Sequence, residues 1–293
     1  MIRKTIEICD VPSFFHEIYE YGCKDESPKI MITGGIHGDE VTGIYVAERL
    51  MEYFNMHELK KGFIKIIPRC NPAATRQMSR KSFYDELDMN RIFPGDDNGS
   101  TTMRAANNIW KESELADIII DLHCCNQSSM MYALAIYDEF PAVEELVKGL
   151  CIRTLVQSEG VAGQLFTESC RKRKQKAFII ELPSGNDKGA INFIAAEECF
   201  NAVLNLFVSQ DIIEGNYLES PPKSFGKIKD VASKENGLWL PSVINGQQIN
   251  KGDLIGNING RNIFAPEIGT VLITIPGSYV FVGDNVLSYV QEI

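Results

Sequence analysis

Gly34-Gly35-Ile36-His37-Gly38-Asp39-Glu40 lies between a β-rich run, Lys29 to Ile36, and a segment of helical spacing, Val41 to Phe54. In that segment Val41, Ile44, Tyr45, Ala47, Leu50, Met51 and Phe54 fall near one face, as in an amphipathic helix lying on a sheet. The heptapeptide is therefore a strand-to-helix turn. Further β-rich runs at Phe63 to Pro68, Ile118 to Leu122 and Ala177 to Leu182 alternate with helical periodicity, which predicts an α/β fold. A last helical pattern runs from Ala190 to Phe207. Gly215 and Pro221-Pro222 then punctuate a change of texture, and glycines recur from Gly226 to Gly283 between short β-prone runs. The expectation is a domain of residues 1–214 and a small all-β barrel or sandwich of residues 215–293.

Composition narrows the function classes. Of 293 residues, 44% are hydrophobic and 23% charged, ordinary values for a globular protein. No stretch approaches 18 uninterrupted apolar residues and Met1 to Asp10 lacks the layout of a signal peptide, so neither membrane nor secretion is expected. Eight cysteines without a C-x-x-C spacing suit a reducing compartment, by default the cytoplasm. A net charge of −10, relieved only by the cluster Arg171 to Lys176, argues against nucleic acid as a partner. The sequence admits a homo-oligomer.

The chemistry-bearing residues stand at strand ends. His37 and Glu40, three apart across the turn, can converge on one point; the alternative is a capped helix start beside a turn histidine, with Asp39 and Glu40 in the first helical turn complementing the helix dipole. His123 closes the run Ile118 to Leu122, where open α/β sheets place their ligand sites. Two neutral imidazoles and one carboxylate would leave a zinc ion a net positive charge and an open position, the make-up of a catalytic site. Asp121, two residues before His123, either orients a histidine or caps a neighbouring helix. Glu181 ends another apolar run, a costly place for a carboxylate unless it is ion-paired or works as an acid or base. Arg80, Asn90 and Arg91 lie in polar loops, and an arginine fork suits a carboxylate or a developing oxyanion.

These motifs, GGIHGDE at 34–40, Asn71-Pro72 followed by Arg80, DMNRIFPG at 88–95, DLH at 121–123 and IIEL at 179–182, together resemble the succinylglutamate desuccinylase and aspartoacylase family, zinc hydrolases related to the metallocarboxypeptidases. The resemblance implies a carboxypeptidase-like mixed sheet flanked by helices. It implies one zinc ion per chain on His37, Glu40 and His123, with Glu181 as general base and Arg80 polarising the scissile carbonyl. Asn90 and Arg91 would grip a substrate carboxylate. Arg171, ten residues before Glu181, is similar in spacing to a second carboxylate-binding arginine of the aspartoacylase branch. The implied reaction is hydrolysis of the amide bond of a small N-acyl amino acid, with a short-peptide carboxypeptidase and an inactive metal- or amino-acid-binding module as alternatives. Cys124-Cys125 after DLH and Leu182-Pro183-Ser184-Gly185 at the end of the last motif depart from the pattern and alter the walls of the site.

The C-terminal segments Val243 to Gly256 and Ala265 to Val271 resemble half-barrels of the biotinyl and lipoyl type. The chain has no lysine after Lys251, so a covalently carried swinging arm is not expected. In the resembling family this domain packs over the active-site entrance. Tyr279 is then a candidate substrate contact, or a core or surface residue of the barrel.

Overall fold

A computed structural model describes residues 1–10, 13–125, 129–185 and 189–293. Among these the chain forms strands β1 (Ile2–Asp10), β2 (Ser13–Gly22) and β3 (Lys29–Gly34), helix α1 (Val41–Met56), β4 (Phe63–Ile67) and helices α2 (Pro72–Arg76) and α3 (Thr101–Glu112). It continues through β5 (Ile118–Cys124), β6 (Tyr132–Ala135), α4 (Pro141–Val147), β7 (Thr154–Gln157), α5 (Leu165–Arg173), β8 (Lys176–Leu182) and α6 (Phe193–Ser209). A ninth strand, β9 (Lys223–Lys227), completes a mixed sheet of order β1-β2-β4-β3-β5-β8-β6-β7-β9. Its middle, β4-β3-β5-β8, is parallel.

Strand alternation sorts the side chains between two cores. Ile118, Ile120, Leu122, Phe178 and Ile180 face α1 and α6 in one. Ile119, Ala177 and Ile179 face α3 and α5 in the other. By the same period Asp121, His123 and Glu181 belong on the second side, so an alternation that elsewhere fills a core with isoleucine delivers three polar groups at the carboxyl ends of β5 and β8. The turn before α1 is brought against this edge by two close approaches. A Cβ at Gly43 would stand 2.9 Å from the carbonyl oxygen of Leu122, and one at Gly38 would stand 2.0 Å from the backbone of Ala74 on α2. Only glycine fits either place. Helix α2 is itself set by Asn71, whose side chain accepts from the N–H of Ala74, and by Pro72 in its first turn.

The remaining strands are β10 (Lys229–Ala232), β11 (Gly237–Pro241), β12 (Gln248–Ile249), β13 (Leu254–Ile258), β14 (Arg261–Phe264), β15 (Gly269–Thr274), β16 (Ser278–Val280) and β17 (Asn285–Val290). They form two four-stranded antiparallel sheets, β10-β17-β15-β12 and β14-β13-β11-β16, around the fully buried Trp239. The sequence texture places the domain boundary near Gly215, yet β9 lies beyond it and pairs in parallel with β7. Gly215 and Pro221-Pro222 mark the end of α6 and an extended connector, and a local break cannot reveal which sheet the next strand joins. The small sheets meet the large one through Tyr132, Val156, Phe225, Leu272 and Val290. No disulfide joins the eight cysteines, and among the described residues no helix is long and apolar enough to cross a membrane.

Candidate metal centre and its surroundings

His37, Glu40 and His123 each offer one ligand atom, all within 4.8 Å of one another, and all three residues are buried. Glu40 stands at the N-cap position of α1 but makes no side-chain cap bond. Its carboxylate turns inward instead: Oε1 is 2.7 Å from His37 Nδ1, and Oε2 is 2.9 Å from both His123 Nδ1 and the backbone N–H of Cys124. Helix capping therefore does not account for this residue, and Asp39 precedes the helix rather than filling its first turn.

The outer nitrogens of both rings are held by aspartates. His37 Nε2 lies 3.0 Å from Asp88 Oδ1, and His123 Nε2 lies 3.0 Å from Asp121 Oδ2. Asp121 Oδ1 accepts in turn from Thr33 Oγ1 at 2.8 Å. With each Nε2–H donating outward, both Nδ1 atoms face Glu40 as the inner donor set, the carboxylate–histidine arrangement that orients metal-binding imidazoles. Burial alone would lower the affinity of both rings for protons. The contacts with Asp88 and Glu40 at His37, and with Asp121 and Glu40 at His123, outweigh it and raise both. Burial would likewise raise the carboxyl of Glu40, but the two imidazoles hold it well below the usual carboxylate range. Two imidazole nitrogens and one carboxylate oxygen thus face one another within 4.8 Å, the nitrogen-and-oxygen donor make-up of a zinc site with an open position. The donor set fits zinc.

Glu181 is the register partner of His123 on the adjacent parallel strand. Burial pushes its carboxyl up, His123 opposes that shift, and the charge of Glu40 adds to it. A carboxylate more basic than usual, one strand from the triad, suits proton transfer.

The arginines separate. Arg80 comes to the triad: its Nη1 is 3.8 Å from Glu40 Oε1, and its Nε donates to Asp88 Oδ2 at 2.9 Å. Asn90 is buried, with Oδ1 accepting from the N–H of Leu165 at 3.1 Å and Nδ2 3.4 Å from His123 Nε2. Arg91 is exposed, and its Nη1 donates to the carbonyl of Asn90 at 2.7 Å. Arg171 is bound elsewhere. Its guanidinium meets both carboxylate oxygens of Glu139 and the carbonyls of Glu159 and Gly160, which pins the loop after β7. Tyr279 is 59% exposed on β16, its ring edge-on to Phe281. Neither makes a hydrogen bond or ring contact with the triad among the described residues.

Asp88 is the residue that sequence reasoning missed. It joins His37 to Arg80, and Oδ1 also accepts the N–H of Asn90 at 2.9 Å, capping the short turn Met89–Arg91. The signal was an acid two positions before Asn90, a turn-capping spacing, but its link to His37 crosses 51 residues. Burial would raise its carboxyl; the cations His37, Arg80 and Arg91 hold it far below the usual range.

Comparison with known proteins bears on the family and the fold. The N-alpha-acetyl-L-2,4-diaminobutyric acid deacetylase of Halomonas elongata is 25% identical over 252 residues, 80% of this chain and 71% of its own length. A succinylglutamate desuccinylase of Pseudomonas aeruginosa is 29% identical over 130 residues, 41% of this chain and 38% of its own. An aspartoacylase family protein of Mesorhizobium loti superposes with a TM-score of 0.84 at 19% identity, over 100% of this chain and 95% of its own. The ectoine utilization protein EutE of Ruegeria pomeroyi, in a product-bound structure, gives 0.81 at 21%, over 95% and 89%. At such identities the two structures show a shared fold. A sequence profile of the succinylglutamate desuccinylase/aspartoacylase catalytic domain matches residues 26–207, a stretch that opens before the His37 turn and closes beyond Glu181. Since this match spans more than half of the chain and bears out the resemblance of its motifs, the chain belongs to the succinylglutamate desuccinylase/aspartoacylase family.

Proposed function

We propose that the protein hydrolyses the amide bond of a small N-acyl amino acid or related N-acyl amine, with one zinc ion held by His37, Glu40 and His123. The observation that carries this reading is the pair of Nδ1 atoms converging on Glu40, each ring backed by an aspartate, beside the half-buried carboxyl of Glu181. The curated relatives named above are a deacetylase and a desuccinylase, both by name acting on acylated amino acids or their analogues, which favours a deacylase over a peptidase.

When bound, a zinc ion in such a site supplies a water whose pKa falls to about 7. Glu181 accepts a proton from the attacking water and returns it to the departing amine nitrogen. Arg80, tied to Asp88 with Nη1 beside Glu40, meets the negative charge growing on the amide oxygen. Arg91 keeps N–H groups beyond the one it spends on Asn90, and with the Asn90 amide nitrogen it takes the substrate carboxylate. Arg171 and Tyr279 receive no substrate contact in this reading, because Glu139 and two carbonyls occupy the guanidinium and the tyrosine ring stands on an outer strand. The small sheets meet the segment before β6 at Ser129–Ile273 and Met130–Leu272, six and seven residues past His123, a position from which they limit access to the site.

The test combines metal analysis of the purified protein with a panel of acetyl, succinyl and other acyl amino acids beside short peptides. One equivalent of zinc and turnover of an acyl amino acid are expected. Faster cleavage of short peptides would make the protein a carboxypeptidase, and bound metal with no hydrolysis anywhere on the panel would make it a binding module.

A further inference from the structure

The carboxylate of Glu181 has a partner that the reaction as described leaves unused. Three residues meet beside the sheet: Cys125, the first residue past β5, Glu181 on β8, and Tyr132 on β6. Cys125 Sγ lies 3.3 Å from Glu181 Oε2 and 3.3 Å from the Tyr132 hydroxyl. The Cys125 backbone is fixed as well, its N–H donating to Leu182 O at 2.8 Å and its carbonyl accepting from Ser184 Oγ.

Hydrogen counting gives the contacts a direction. A carboxylate only accepts, and a thiol has a single hydrogen. The S–H therefore goes to Oε2 of the ionised Glu181, and the Tyr132 O–H donates to sulfur. The hydroxyl of Tyr132, a residue only 3% exposed, finds in that sulfur its one hydrogen-bond partner among the described residues, as a buried tyrosine requires. Among the same residues no donor meets Glu181 Oε1.

We infer that Cys125 is a positioning residue for the general base: its S–H holds Oε2 of Glu181 against Tyr132 and leaves Oε1 as the oxygen that exchanges the proton. This rests on the reading of Glu181 as the base. It assigns a purpose to a cysteine that departs from the family pattern after the second histidine. A carboxylate free to rotate would offer its two oxygens in many orientations; one tethered to the sheet offers a single oxygen in one direction, and such preorganisation appears in the chemical step rather than in substrate binding.

The experiment compares wild-type holoenzyme with Cys125→Ala, Cys125→Ser and Glu181→Gln, using the acyl amino acid that the wild type turns over fastest, and records zinc content and the infrared S–H stretching band. Cys125→Ala should lower kcat about five- to tenfold, a modest loss because a thiol is a weak donor, with KM changed less than about twofold and zinc retained. Cys125→Ser, which restores a donor, should return kcat to within about twofold of wild type. The S–H band that disappears in Cys125→Ala should move to higher frequency in Glu181→Gln, where the acceptor has lost its charge. An undiminished kcat in Cys125→Ala, a serine variant no better than alanine, or a band that Glu181→Gln leaves in place overturns the inference. If no acyl amino acid is turned over, the proposed function fails, while the infrared band still decides whether the thiol is bonded to Glu181.

Discussion

Replacing Asp88 by asparagine keeps the shape of the side chain and removes its charge, and the geometry fixes which contact is lost. Oδ1 serves both His37 Nε2 and the N–H of Asn90, whereas Oδ2 serves only Arg80 Nε. An amide with its oxygen in the Oδ1 place keeps two contacts and turns its NH2 against the Arg80 N–H; the reverse orientation loses two. The first orientation wins, so Asp88→Asn chiefly releases Arg80. A hydrogen bond to a charged group contributes about 1.5–3 kcal/mol, and with Arg80 46% exposed, water repairs part of the loss, leaving about 1–2 kcal/mol. That corresponds to roughly five- to thirtyfold in kcat/KM at saturating zinc. Zinc affinity should fall about tenfold, the mild end for loss of a carboxylate behind a metal-binding histidine, because a neutral amide oxygen still accepts from Nε2. Asp88→Ala abandons both partners and should weaken zinc binding further, toward about a hundredfold. Competition with a chromophoric chelator measures the affinity, and initial rates with zinc in excess measure kcat/KM. If both variants hold zinc and turn over substrate within about twofold of wild type, Asp88 does not connect His37 to Arg80 in the working protein.

Three further outcomes are expected. His123→Ala should lose stoichiometric zinc, since it removes one of three ligands, and zinc retained at full affinity on metal analysis would move the site elsewhere. Arg91→Ala should lower kcat/KM for substrates with a free carboxylate by about ten- to a hundredfold, and amidating that carboxylate should cost the wild type a similar factor but the variant little more. Simple additivity of the two losses would show that Arg91 does not touch the carboxylate. His16 is fully buried, with Nε2 2.7 Å from Cys70 O, and burial depresses its pKa to about 4. The folded value lies below the unfolded one of about 6.5, so the fold holds the neutral ring; stability is complete above pH 6.5 and drains as pH falls toward 4, by about 2 kcal/mol at pH 5. Urea denaturation between pH 4 and 7 should show this slope in the wild type and a flatter one in His16→Gln, and equal slopes would refute the assignment.

Legibility followed the range of the interaction. Helix α1 was visible because its apolar face repeats within the segment, and the turn before it because glycines crowd a short stretch. His37, Glu40, His123 and Glu181 could be picked out since each follows or ends a strand and polar groups are rare there. Asp121 shared the face of His123 by simple alternation, and the structure chose between its two readings with the 3.0 Å contact to the ring. Arg171 shows the opposite case: its spacing from Glu181 suggested a substrate contact, but spacing along the chain does not say that Glu139, 32 residues away, binds the guanidinium first.

What the sequence by itself determined was the α/β class, the candidate ligand types and the strand ends that carry them, all consequences of periodicity and of the cost of polar groups at apolar strand termini. Only the tertiary structure decided that β9 crosses the expected boundary to join β7, that Asp88 ties His37 to Arg80, and that Cys125 lies between Tyr132 and Glu181. These depend on the order β5-β8-β6-β7-β9 and on a loop returning across the sheet edge. Strand order is set by the summed burial of two cores, a quantity that no single stretch of the chain contains.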